Sequence, residues 1–241
     1  MSEPPLMSEP PPQGDPEAAG TRIGWGALEA VAGLFAVVLA LILGGSIVVA
    51  LAGEDGLDSV LGLQAVLELA LIGVAVGFAA RSTARPAAEA LGFSRPSSGW
   101  LKLTALGFGA YLVCAIALSL IAGEPEQTDI ADQLGFDEGL ATALVAGVLI
   151  VLVAPLCEEV FFRGFFFAGL RRRLPFGAAA LGSGLLFGLI HLGDANLIAG
   201  AQLAILGVIL AWLYEETDSL WAPIALHCFN NALAFTFLVA G

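Results

Sequence analysis

The chain has 241 residues, 58% of them hydrophobic and only 13% charged, with a mean hydropathy of +0.90. A soluble domain of this length would carry about twice that charged fraction, so an ordinary soluble globule is excluded. The net charge of −13 rests on acids in loops and in the N-terminal tail, and the 9 Lys and Arg are clustered, so nucleic-acid binding has no support.

In chain order, the first segment is MSEPPLMSEPPPQGDPEAAG, proline-rich and acidic, with MSEPP occurring twice. Such a stretch buries too little apolar surface to order itself, so residues 1–22 are expected to form a disordered cytoplasmic tail. The repeat makes Met1 and Met7 both candidate translation starts. Seven apolar runs follow, at about 25–52, 59–80, 99–121, 140–171, 176–192, 196–214 and 219–240. Each is read as a helix long enough to cross a bilayer. The fold class is therefore an all-α, polytopic transmembrane bundle of about seven spans; a β-barrel would show short alternating segments instead. The first run is too long for a signal peptide and is expected to be retained. Residues 23–135 are taken as three N-terminal helices and 136–241 as a four-helix core.

Charge asymmetry predicts the orientation. Arg22, Arg81, Arg85, Arg95, Lys102 and Arg171 to Arg173 fall on one set of loops. The alternate loops, EDGLD and EPEQTDIADQLGFDE, contain no Lys or Arg. The positive-inside rule places the N-terminus in the cytoplasm and the C-terminus outside. Cys114, Cys157 and Cys228 lie in apolar segments and read as small buried hydrophobes rather than disulfide partners.

Arg163 belongs to neither set of loops. It sits in CEEVFFRG, inside the fourth run, with Glu158 and Glu159. A charge at membrane depth is costly and usually marks a function. Glu159 and Arg163 are four apart with the acid N-terminal, the order that favours an ion pair on one helix face. Glu158 points about 100° away and has no sequence-local counter-ion. An acid so placed is suited to take a proton from water; the structural alternative is a pair that merely pins helix register.

The chain has 2 histidines, and both lie in apolar runs. His191 ends FGLIH, one helical turn after Phe187, and His227 opens HCFNN, one turn before Asn231. Burial of every histidine near Glu, Arg and Asn is harder to attribute to packing than one would be. By helix rise, Glu158 and His191 both lie roughly 20 Å from the cytoplasmic ends of their helices, whereas His227 lies only about 12 Å in. Ala180, Gly184 and Gly188, spaced by four, are expected to bring the fifth helix close to a neighbour, plausibly the fourth.

Together EEVFFR, FGLIH and HCFNN resemble the CPBP family of intramembrane endopeptidases, the CAAX-processing and bacteriocin-processing (Abi) proteins. The pattern EE-x3-R, F-x3-H and H-x3-N is met in order across roughly 145–235. The resemblance implies a mainly glutamate-based protease. Glu158 and His191 would activate water, His227 and Asn231 would stabilise the oxyanion, and Glu159, Arg163 and Phe187 would structure the site. It implies hydrolysis of a membrane-associated protein or peptide, with the lipid bilayer as the other partner. No cofactor is expected. A zinc version would use Glu158, His191 and His227 as ligands, but HExxH is absent and only Glu159 would remain as base.

Two other classes compete: a non-catalytic immunity or scaffold protein of the same fold, and a proton-coupled transporter, for which no internal repeat is visible. Abundant Ala, Gly and Leu and an excess of Arg over Lys point to a GC-rich bacterium and its plasma membrane, where prenylated CAAX substrates are not expected. The physiological substrate is not readable from the sequence.

Overall fold

The structure is a computed structural model and describes residues 24–53, 57–82, 85–125, 139–192 and 195–240. The expected tail over 1–22 and most of both acidic loops lie outside the described residues. Seven long helices appear among the described residues: α1 Ala27–Ala52, α2 Leu57–Ser82, α3 Trp100–Ala122, a composite α4, α5 Phe176–Ile190, α6 Leu197–Thr217 and α7 Trp221–Ala240. A single helical turn, Ala87–Ala90, lies between α2 and α3. The all-α polytopic bundle is the observed fold. Five of the seven are long and apolar enough to cross a membrane: α1, α2, α3, α4 and α6. The expectation that all seven qualify needs correcting at α5, whose 15 residues reach about 22 Å against a hydrocarbon core of about 30 Å. Helix α7 carries His227, Asn230 and Asn231 and is not among the five either. Leu28, Phe35, Leu51, Leu120 and Ile121 stand exposed, the outward-facing apolar surface that lipid would cover.

The helix ends sort into two sets. At one end, the Trp25 indole N–H donates to Phe165 O at 2.9 Å and Arg172 donates to Trp25 O at 2.9 Å. At the same end, Ser97 N–H donates to Thr217 O and Leu220 N–H to Gly92 O. At the other, Asn196 caps α6 through Ala199 N–H and also donates to Glu124 O at 3.1 Å.

Helix α4 is continuous but not uniform. It runs through Leu140–Val148, a π turn Leu149–Val153, Ala154–Glu159, a π segment Val160–Phe167 and Ala168–Arg171. The first π turn has a local cause. Pro155 has no N–H, so a proline here must leave at least one carbonyl of the preceding turn without its helical donor. The chain widens to accommodate it: Ala154 N–H reaches back five residues to Leu149 O. Ile150 O is then passed over, because its donor five residues on would be Pro155.

The interior is aromatic. Phe161, Phe162, Phe165 and Phe166 join Trp25 and Leu91 in one buried cluster that draws on α1, α2, α4 and α7. Gly33 on α1 makes room for Phe165, since a Cβ there would lie 2.3 Å from the Phe165 ring. Helices α1 and α2 thus share a core with the last four, whereas α3 packs in a second cluster, Tyr111 and Ala115 against Leu206 and Leu210 of α6 and Leu226 of α7.

Candidate active site

Four polar side chains, Glu158, Glu159 and Arg163 of α4 and His227 of α7, converge near the middle of α4. Arg163 is completely buried; its Nη1 donates to Glu159 Oε1 at 2.8 Å and its Nη2 to Gly207 O at 3.0 Å. Its guanidinium carbon also lies 4.8 Å from the centre of the Phe187 ring, a cation–π contact in a desolvated setting. Glu159, equally buried, carries a second partner on the same oxygen: His227 Nδ1 lies 2.8 Å from Oε1. A carboxylate accepts from both, so the His227 proton is on Nδ1 and Nε2 turns the other way. That nitrogen faces Glu158 Oε2 at 3.8 Å. The separation is too long for a direct hydrogen bond, and Glu158 Oε2 has no other hydrogen-bond partner among the described residues although it is buried.

The expected Glu159–Arg163 pair on one helix face is present. The depth expected for His227 is corrected. It meets the acids of α4 directly, and the start of α7 lies inside the protein: Ser219, Leu220 and Ala222 are fully buried. The segment after α2 covers this turn, with Ser219 Oγ donating to Ser94 O at 2.7 Å. Gly92 there takes φ +98°, where the Tyr214 ring would also collide with any Cβ.

His191, half-buried at the end of α5, lies with Nδ1 2.7 Å from Phe187 O. A carbonyl only accepts, so Nδ1 carries the proton and Nε2 keeps a lone pair in the neutral ring. Phe187 contacts both imidazoles, its centroid 5.0 Å from that of His191 and 5.6 Å from that of His227. Asn231 Nδ2 donates to Ile150 O at 3.0 Å, supplying the bond that the Pro155 turn withholds. One amide proton of Asn231 is thereby committed to α4, and Asn230 donates to its Oδ1 at 3.3 Å.

The glycines of α5 do allow a close approach, but chiefly to α6 rather than α4. A Cβ at Gly188 would lie 2.3 Å from Gly200 O, and one at Gly207 would lie 2.8 Å from Gly184 Cα. The contact with α4 is made by Phe187, edge-on to Phe162 at 5.2 Å, by Ser183 Oγ, which donates to Phe162 O at 3.4 Å, and by Ala180, clustered with Phe167.

Among the described residues no three His, Cys, Asp or Glu are grouped so as to hold a metal ion. A groove of about 330 Å³ between α3 and α6, lined by Ala115, Ser119, Glu124 and Gln202 among others, includes none of Glu158, His191 and His227.

Residues 140–233, from the start of α4 into α7, match a family model described as type II CAAX prenyl endopeptidase Rce1-like. This segment is thus similar to the CPBP endopeptidases that its motifs resemble. A protein named "Putative membrane peptidase YdiL" from Bacillus subtilis (strain 168) is 33% identical over 88 residues, which is 36% of this chain and 33% of that protein. The chain thus spans about a third of the length of the curated relative it matches. No solved structure matches. The three N-terminal helices lie outside the CPBP match.

One polar residue of the neighbourhood escaped the sequence reading. Glu68 on α2 is buried beside Cys157, the residue preceding Glu158. The signal was available: Glu68 is an acid within LQAVLELAL, and the cost of charge at membrane depth singles it out as it does Glu158.

Proposed function

We propose that this chain is an intramembrane endopeptidase that hydrolyses a peptide bond of a membrane-associated protein or peptide with water activated by Glu158. The observation that carries the reading is the Glu158 carboxyl itself. It is buried, Oε2 is without a hydrogen bond, and it stands beside a polar network in which the neighbouring charges are already paired.

In this reading Glu158 takes a proton from water as the hydroxide adds to the scissile carbonyl, giving a tetrahedral intermediate. It returns that proton to the amine as the C–N bond breaks. A positioned base of this kind contributes about 10²–10⁴-fold. His191, its proton committed to Phe187 O, offers Nε2 as a second acceptor to orient the water. The uncommitted amide proton of Asn231 is a donor for the oxyanion, and such donors are worth several kcal/mol in a water-poor site. Glu159 and Arg163 act on the chemistry only through His227, by fixing its ring.

The test compares membrane proteomes of cells carrying the wild-type chain or Glu158→Gln. A membrane peptide that accumulates uncut in the variant, and is cleaved by purified wild-type protein in vesicles, is the expected outcome. If Glu158→Gln cleaves it as fast as wild type, the assignment is lost. A scaffold protein would still complement a deletion strain with Glu158→Gln, and this arm separates the two classes.

A further inference from the structure

The buried acid on α2 has no part in the chemistry above. Glu68 is 93% enclosed, being 7% exposed. Its Oε1 accepts from Gln64 Nε2 at 2.6 Å, one helical turn earlier, while Oε2 is buried without a hydrogen-bond partner. No ion pair to Arg or Lys neutralises it among the described residues. Every titratable group that faces it from the neighbouring helices belongs to the site or touches it: the Cys157 thiol beside the carboxyl and Glu158 from α4, and His227 from α7.

Three buried carboxyls, Glu68, Glu158 and Glu159, therefore each present an unpartnered Oε2, and the first two flank one thiol, that of Cys157. Packing does not account for the first of them. An apolar residue of similar size would fill the same space between α2 and α4 without leaving an oxygen unsatisfied, and an unsatisfied buried group weakens a fold. A side chain that costs stability where an apolar one would not is the mark of a functional position.

We infer that Glu68 is a positioning residue for Glu158: from outside the CPBP-like core, α2 sets the charge and orientation of the Glu158 carboxyl through the Cys157 contact and through the space between the two acids. This rests on the endopeptidase reading for its catalytic consequence, but the coupling between the two carboxyls does not. Gln64 is part of the device, since its amide holds Glu68 Oε1 and leaves Oε2 turned to α4.

The experiment uses full-length protein in phosphatidylethanolamine–phosphatidylglycerol vesicles, with an apolar quenched-fluorescent transmembrane peptide as the probe. Three measurements are made on wild type, Glu68→Gln, Glu68→Met and Glu158→Gln. Infrared spectra across an acid-to-alkaline titration identify the Glu158 carboxyl by its loss in Glu158→Gln. In Glu68→Gln the titration midpoint of that band is expected to shift. An unmoved midpoint overturns the proposal whether or not the probe is cleaved.

The melting temperature of Glu68→Gln and Glu68→Met is expected to hold or rise, while kcat falls on the order of tenfold and KM changes little, the pattern of an interaction made mainly in the transition state. A joint fall of kcat and melting temperature in both variants marks a merely structural residue and also overturns it. Should wild type leave the probe intact, the protease reading fails in that arm alone and the infrared arm still decides the role of Glu68.

Discussion

At the scale of single residues, the site separates charges that are matched from charges that are left over. Glu159 Oε1 holds both Arg163 and His227, each at 2.8 Å. Removing one member of a buried pair strands the other, at a cost of about 3–5 kcal/mol. Glu159→Gln is therefore expected to lower the unfolding free energy in detergent by that order, read as a fall in the denaturation midpoint. Glu158→Gln, which replaces an acid whose Oε2 already lacks a partner, is expected to leave the midpoint unchanged or raised. Equal destabilisation by the two would contradict the division of labour between adjacent acids. Spacing alone made Glu158, Glu159 and Arg163 legible, because helix periodicity sends neighbours to different faces and i, i+4 residues to one. Glu68 was equally visible as an acid in an apolar run. Its importance was not, because nothing in the sequence says which face of α2 meets α4.

At the scale of elements, the decisive feature is the proline inside α4. Pro155 forces a π turn, the turn leaves Ile150 O without a helical donor, and Asn231 of α7 supplies one. Asn231→Leu should cost about 1–3 kcal/mol, the penalty for a buried acceptor left unmade. In a Pro155→Ala background α4 regains an N–H, so the same substitution should cost measurably less. A double-mutant cycle with no coupling energy would refute the link. The α5–α6 contact makes a second expectation. Gly188→Leu pushes side-chain atoms against Gly200 O, and overpacking of this kind costs typically about 1–3 kcal/mol; a melting curve like that of wild type would show that α5 has room to shift.

For the whole molecule, the question is whether the last four helices suffice. Phe165 seats in the notch at Gly33, Trp25 donates to Phe165 O, and the loop after α2 buries the start of α7. A chain restricted to 139–241 would expose these aromatic faces and lose the cover over the α6–α7 turn. It is expected to lose cleavage and to aggregate in detergent, and a well-behaved, active fragment would count against the shared core. The clustering of Arg81, Arg85, Arg95, Lys102 and Arg171 to Arg173 on one set of loops carries a separate expectation about the membrane. Reporter fusions should find the N-terminus cytoplasmic and the C-terminus outside.

The sequence by itself determined the bundle, the positions of the helices along the chain and the polar residues worth attention. Apolar run length and residue spacing are local properties, and the bilayer requires backbone hydrogen bonds to be closed within each helix. Only the tertiary structure decided which of those residues meet. His227 comes level with the acids, and a loop forty-odd positions beyond α1 buries the start of α7. Asn231 reaches α4 because a proline opened a gap there, and Glu68 joins the group because glycine and aromatic surfaces set α1 and α2 against it. Depth and facing depend on how helices stack, and stacking is a sum over distant contacts that no single stretch of chain contains.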